Sequence, residues 1–321
     1  MGQDSLAPSG NVGNNHLGSI HVPVMVEEVV EAMGPCGAGW VIDGTLGLGG
    51  HAKALLDEYP RMSLLGIEVD REAIQYSKCA LLRFGERARV VYGTYTEMGV
   101  LAIQIQIDEV VGAVLDLGLS SLQLSDPLKG FSFKRSGPLD MRFSGTGSLT
   151  AGKIVNSYEE KDIADIIFRF GDERRSRKIA SAIVARRPLE TTTQLAKVVE
   201  DCLGRGQRRI HPATRTFQAL RIAVNGEIEN IYHGLKEAIN LLQSGGRIAV
   251  ISYHSIEDRV VKNLFRDESV LCICPPELPI CDCHHEPRIK LVNKRVKRPS
   301  QPEVERNPSS RSAKLRVAER I

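Results

Sequence analysis

The sequence predicts an α/β protein: a Rossmann-like, mainly parallel sheet interrupted by an inserted all-helical domain. Three observations carry this. Short apolar runs recur at the spacing of strand–crossover–strand units, a glycine-rich turn follows the first of them, and a helically patterned gap of well over a hundred residues separates the fourth from the fifth. A simple crossover needs only about a dozen residues, so the gap holds a domain of its own.

Met1–Ile20 is polar, rich in Gly, Asn and Ser, and contains no Lys or Arg. It fits neither a secretory signal nor a transit peptide, and 1–20 is expected to be a disordered tail on a cytoplasmic protein. Trp40–Ile42 is the first strand and leads into Asp43. A turn through Gly47, Gly49 and Gly50 follows, exposing backbone N–H groups with no side chain to block a ligand. A helix-like segment runs from Ala52 to Leu56. The second strand, Leu64–Ile67, is followed by Glu68 and Asp70, either of which could grip ribose hydroxyls. Ala88–Tyr92 and Val110–Leu115 are the third and fourth strands, and the intervals between them imply right-handed parallel units. Past Leu115, Ile163, Ile166, Ile167 and Phe170 recur at helical spacing until Gly171 punctuates the pattern. Ile179, Ile183 and Val184 mark a second helix, and Thr191–Leu203 a third. Ile248–Ser252 returns the chain to the sheet, and Arg288–Val292 with Lys314–Ala318 read as a short antiparallel edge. The sheet domain is thus expected over 21–122 and 222–321, and the helical insertion over 123–221.

An apolar content of 42% and a charged content of 25% are those of an ordinary globular chain. No apolar run approaches the roughly 20 residues that span a bilayer, so no membrane partner is expected. The seven cysteines, without an export signal, read as thiols rather than a disulfide framework. A net charge of +3 conceals an asymmetry: Arg288–Ile321 carries eleven Lys or Arg against three Glu, +8 in 34 residues, leaving −5 elsewhere. A second basic cluster, Arg174, Arg175, Arg177, Lys178, Arg186 and Arg187, falls within fourteen residues. Basic clusters are most often solvated surface, but two of them beside a cofactor site point to a polyanion such as RNA.

The glycine turn and its distant carboxylates indicate an adenosine-containing cofactor. Gly47-x-Gly49-x-x-Ala52 also satisfies the dinucleotide fingerprint, so on these residues a nicotinamide oxidoreductase and an S-adenosylmethionine enzyme stand level. A turn that serves packing alone is the bland alternative.

The chain resembles the bacterial RsmH (MraW) methyltransferases. The resemblance rests on His21-Val22-Pro23-Val24-Met25, Asp43-Gly44-Thr45 through Gly49-Gly50-His51, and Asp116-Leu117-Gly118-Leu119-Ser120-Ser121. It continues through Gly130–Phe133, Gly137–Arg142, His211–Ala219, Ser252–Arg259 and the closing Arg311–Arg316. These motifs run in order from about residue 21 to the C-terminus. The resemblance implies a class I S-adenosylmethionine-dependent methyltransferase sheet, S-adenosyl-L-methionine as cofactor, and methylation of N4 of a cytosine in the decoding region of small-subunit ribosomal RNA. The implied partner is that RNA in an assembled or late-assembling small subunit, and the family is compatible with a homodimer. Its cofactor contacts fall on Gly49, Gly50, His51, Glu68, Tyr95, Asp116 and Gln123. Glu68 departs from the family's usual Asp, and Tyr95 from its usual Phe. The alternative of a non-catalytic RNA-binding assembly factor keeps the same fold.

Methyl transfer to an exocyclic amine needs alignment, exclusion of water and an acceptor for an amine hydrogen. Asp116, the Ser120 hydroxyl and the Leu117–Ser120 carbonyls are the expected acceptors, with Asp140 a second candidate. Phe131, Phe133 or Phe217 could face an unstacked base, and Arg142, His211, Arg215, Arg221, His254 and Arg259 could contact RNA. Thr214 fits a helix N-cap equally well. Cys272-x-Cys274 and Cys281-x-Cys283, with His284 and His285 adjacent, could supply four soft ligands to zinc in a loop turned by Pro275, Pro276 and Pro279. The spacing is tighter than in ribbon and finger sites, which favours incidental thiols, and methyl transfer needs no metal; none is assigned.

Overall fold

The computed structural model describes residues 22–204, 210–275, 281 and 283–321; the expected tail at 1–20, His21, and the prolines at 276 and 279 lie outside the described residues. Seven strands are present among the described residues: β1 (Gly39–Asp43), β2 (Met62–Glu68), β3 (Ala88–Tyr92), β4 (Val110–Asp116), β5 (Leu242–Ser252), β6 (Ile289–Leu291) and β7 (Lys314–Arg320). They form one sheet in the order β3-β2-β1-β4-β5-β7-β6. The first five run parallel, and β7 is antiparallel to both β5 and β6. The Rossmann-like sheet read from the sequence is therefore there, with its antiparallel edge.

β4 shows why these residues form central strands. Val110–Leu115 is buried throughout, a continuous apolar run with neighbours on both faces. β1 pairs with β2 on one side and β4 on the other, so the strand order reverses there and a crevice opens beyond the carboxyl ends. β5 begins six residues before the expected Ile248. Gly245 (φ +83°) and Gly246 look like a break in the sequence. They are instead a bulge, across which the β4 register jumps from Val110↔Leu242 to Gly112↔Arg247.

Two apolar clusters cover the sheet's faces, one around Ile67, Leu115 and Phe265, the other around Val29, Leu55 and Ile251. A third, separate cluster lies in the segment between β4 and β5, built on Ile154, Ile163, Ile167, Ile179, Leu195 and Leu220. Its helices span Ala151–Ser157, Glu160–Gly171, Ser176–Val184, Thr192–Leu203 and Thr214–Asn225. The last of these runs past 221 to Asn225, with Ala223 and Val224 packed on the same cluster. The helical pattern does stop at Gly171, as the sequence reads. Gly171 is the final residue of its helix, and a Cβ there would sit 2.7 Å from the Arg215 carbonyl, so glycine lets two helices touch. Asp172 takes the left-handed capping position instead (φ 49°). Thr214 is likewise the first helical residue rather than the cap. Helix Glu227–Leu241 then packs over Tyr95, where a Cβ on Gly234 would lie 2.2 Å from the ring.

Candidate active site

The carboxyl ends of β1, β2, β4 and β5 enclose a cavity of about 320 Å³, lined by Gly47, Gly50, His51, Glu68, Tyr95 and Asp116 among others. Ser120 and Gln123 complete the rim. Each is placed by a strand end or a helix start. After β1, Gly47 turns at φ +53° and its N–H donates to Glu68 Oε2 at 2.8 Å. Glu68 Oε1 accepts from the N–H groups of Val69 and Asp70, both at 2.9 Å. The carboxylate therefore ties the ends of β1 and β2 together, with three of its roughly four lone-pair sites taken. Burial pushes its pKa up while the three N–H donors pull against that. A Cβ on Gly47 would meet only the Thr45 carbonyl, at 3.9 Å, so glycine keeps this wall open.

His51 sits in the first turn of helix Gly50–Glu58, its Nε2 bonded to the Val24 carbonyl at 2.8 Å. That leaves Nδ1 facing Asp116 Oδ2 at 3.9 Å. Asp116 ends β4 in register with Ile251, which brings Tyr253, just past β5, alongside it. The Tyr253 hydroxyl donates to Asp116 Oδ1 at 2.8 Å. Burial, then the neighbouring carboxylate, push the phenol's pKa up, so it stays a donor. Ser120 and Gln123 hold each other in a capping box at the start of helix Ser121–Ser125: the Gln123 N–H donates to Ser120 Oγ at 3.2 Å, and the Ser120 N–H to Gln123 Oε1 at 3.1 Å.

Two expected site residues are elsewhere. Asp140 does not line the cavity; Arg142 grips both its oxygens, at 2.8 and 2.7 Å, which removes it as an amine acceptor. Gly49 also faces away. Its φ of +83° caps helix Gly50–Glu58, and a Cβ there would touch Leu81 and Ser77 at 3.6 Å, ordinary contact. The requirement at 49 is conformational, not clearance for a ligand. Gly49→Ala is thus expected to cost about 1–2 kcal/mol of stability and to leave ligand affinity within about twofold; calorimetric loss of binding in the folded variant would contradict this.

The aromatic readings also shift. Phe131 and Phe217 are buried in the helical cluster, and Phe133 packs tilted against His211 (4.6 Å) and edge-to-face against Phe217 (4.8 Å). Phe143 and Tyr253 are the aromatic side chains that join Tyr95 on the cavity wall. Arg221 and His254 are committed within the protein: Arg221 makes two 2.8 Å bonds to Glu227, and His254 Nε2 lies 2.9 Å from Glu257 Oε1. Asn225 bonds the Phe143 N–H and the Met141 carbonyl, fixing that wall. Phe143, Asn225 and Glu227 had no local signal as site residues, because the packing of the helical segment over the sheet brings them here, whereas Tyr253 is placed by the end of β5.

The charge lining the strand ends is acidic. Asp43, fully buried beside His51, is pushed up to about 6 by desolvation, with His51 and the Thr45 N–H pulling it down. A raised carboxyl pKa favours the protonated folded state, so this group's contribution is present below about pH 4 and lost as pH rises towards 6. Unfolding free energy of the wild type minus that of Asp43→Asn should therefore fall by about 3 kcal/mol between pH 4 and 7; a flat difference in denaturant melts would refute it.

A family model described as the MraW methylase family matches residues 18–321. The chain belongs to that family. Among its relatives are proteins named ribosomal RNA small subunit methyltransferase H. The one from Dehalococcoides mccartyi is 48% identical over 302 residues, covering 94% of this chain and 86% of the relative. Those from Thermomicrobium roseum (45% over 309 residues; 95% of each chain) and Oleidesulfovibrio alaskensis (42% over 323; 98% and 99%) match end to end. As a member of the MraW methylase family the protein uses S-adenosyl-L-methionine, and the cleft suits it. Glu68 and Asp116 complement a cationic nucleoside, Tyr95 offers an aromatic face, and the turn preceding helix Gly50–Glu58 presents backbone. The nicotinamide alternative is set aside by family membership.

Proposed function

We propose that the protein transfers a methyl group from S-adenosyl-L-methionine to N4 of a cytosine in small-subunit ribosomal RNA, and that this cleft is where it does so. The observation that carries the reading is the Asp116–Tyr253 pair, held at the crevice where β1 and β4 diverge and facing His51. When bound, the cofactor supplies a methyl group already activated on a sulfonium. The chain's own work is to orient, to exclude water and to accept an amine hydrogen. Tyr253 fixes the Asp116 carboxylate through Oδ1, and that carboxylate on the cavity wall is the acceptor. Ser120 Oγ, though it caps its helix, keeps a second lone pair that can assist. Phe143 is the aromatic best placed to face a base drawn out of its stack.

The RNA path runs over the helical segment. A second groove there is lined by Phe168, Arg174, Arg175, His211 and Arg215. Arg174, Arg177 and Lys178 form no ion pair among the described residues, whereas Arg187 turns inward to the Val155 and Tyr158 carbonyls. Much of the basic C-terminal segment is also engaged, Lys297 with Glu31, and Lys314 and Arg316 with Asp258. Neutralising Arg174, Arg177 and Lys178 together should flatten the log–log salt dependence of RNA binding by about 2–3 units without altering cofactor affinity. An unchanged slope would move the path to Lys294, Arg295 and Arg298.

We infer that the substrate is the assembled or late-assembling small subunit in the cytoplasm. Labelled cofactor incubated with unmodified small subunits and with free RNA, followed by mapping of the label, tests the whole reading. Label on one cytosine N4, stronger with subunits, is expected. No transfer to either overturns the assignment. Among the described residues no helix is long and apolar enough to cross a membrane.

A further inference from the structure

We propose that Cys272, Cys274, Cys281 and Cys283 form a structural zinc site, separate from the cleft. Their four Sγ atoms all lie within 4.8 Å of one another. Cys281 and Cys283 sulfurs are 3.5 Å apart, and those of Cys283 and Cys272 are 3.8 Å apart. Four thiolates around one Zn²⁺ at about 2.3 Å have sulfur–sulfur edges of about 3.8 Å. The cluster thus has the dimensions of a tetrahedral S₄ site, whereas a disulfide requires about 2.05 Å and none is formed. The Cys274 N–H points at Cys272 Sγ (3.4 Å), the kind of donor that stabilises a metal-bound thiolate. Thiolate-only ligation selects zinc, copper(I) or iron over calcium or magnesium, and one compact tetrahedron suits a single ion.

The surroundings give the thiols no other reason to converge. They sit on an excursion between helix Ser255–Asp267 and β6 that has no helix or strand among its described residues. Its base is pinned by the Glu268–Arg288 ion pair (2.6 Å) and by the Arg288 N–H to the Glu268 carbonyl (2.8 Å). His285 belongs to that base, with Nε2 on the Asp267 carbonyl at 2.8 Å, and is not a ligand. Among the described residues of the excursion, Leu271 is 77% exposed and Ile273 53%, so these apolar side chains do not draw the four sulfurs together. With neither helix nor strand among those described residues, a staple is the device that would hold the four sulfurs together. The tight CxC spacing, which in the sequence argued against a finger or ribbon, is met here by pairing two such turns across the loop.

The full-length protein, purified under reducing conditions without chelator, should contain about one zinc per chain by elemental mass spectrometry. Cobalt exchanged into it should give intense thiolate-to-cobalt charge-transfer bands and the visible bands of tetrahedral geometry. Cys272→Ser with Cys283→Ser should lower zinc at least tenfold and speed proteolysis between residues 269 and 287, while cofactor affinity stays within about twofold. Metal-free wild-type protein with four freely titrating thiols would overturn the proposal, and so would iron or copper at one per chain. The wild-type metal content decides the matter even if the double variant fails to fold. A failure here leaves the methyltransferase reading untouched, since no ligand lines the cleft.

Discussion

Asp116→Ala is expected to lower methyl transfer by about 10²–10⁴-fold at saturating cofactor, the range that positioned acid–base groups supply, with little loss of RNA binding. Its carboxylate stands at the meeting point of β4, β5 and the helix that carries His51, with Oδ1 bonded to Tyr253 and Oδ2 3.9 Å from His51 Nδ1. Tyr253→Phe is the informative partner. It keeps the ring on the wall and removes one charge-assisted hydrogen bond, worth about tenfold in rate. If Asp116→Ala turns over near the wild-type rate, the loop carbonyls and Ser120 accept the amine hydrogen instead. Asp140 is not available for that role, being closed off by Arg142.

Glu68→Ala should weaken S-adenosyl-L-methionine binding by on the order of 1.5–3 kcal/mol and destabilise the protein as well. The second effect follows from geometry: the substitution leaves the N–H groups of Gly47, Val69 and Asp70 without their acceptor. The longer glutamate reaches back across 21 residues to Gly47 while keeping its hold on its own turn. Glu68→Gln is expected to fall between wild type and alanine, because its NH₂ cannot accept one of those bonds. Calorimetry and denaturant melts on both variants separate binding from stability; wild-type values in both experiments would remove Glu68 from the site.

The sheet was largely legible because its strands are buried, and burial on both faces writes itself as uninterrupted apolar runs such as Val110–Leu115. Two glycines do something other than break a pattern: a bulge at Gly245–Gly246 and a left-handed cap at Gly49. Those roles depend on what lies opposite in space. The same limit applies to the cleft. Residues at strand ends and in the glycine turn announce themselves locally, so His51, Glu68 and Asp116 could be named beforehand. Phe143 and Asn225 could not, since their place depends on how the inserted helices settle over the sheet. Arg221 and His254 show the converse, side chains that look like RNA contacts and are spent on buried glutamates.

The position of β7 between β5 and β6 has a consequence for how the chain is made. The helical cluster draws its apolar side chains from one stretch, Leu119 to Val224, so that unit can settle as soon as it has emerged. The antiparallel edge of the sheet has no such freedom. β6 leaves the ribosome before β7 but has nothing to pair with until β7 arrives, and one edge of β5 stays bare for the same interval. Met25, near the start of the described chain, also waits, since its backbone N–H finds its acceptor only on Glu303. Strands β1 to β4 precede the helical segment and can pair among themselves, so what waits longest is the antiparallel edge, which closes together with the Met25 contact late in synthesis. A nascent chain arrested before residue 314 should present a protease-resistant helical fragment beside a cleavable sheet edge.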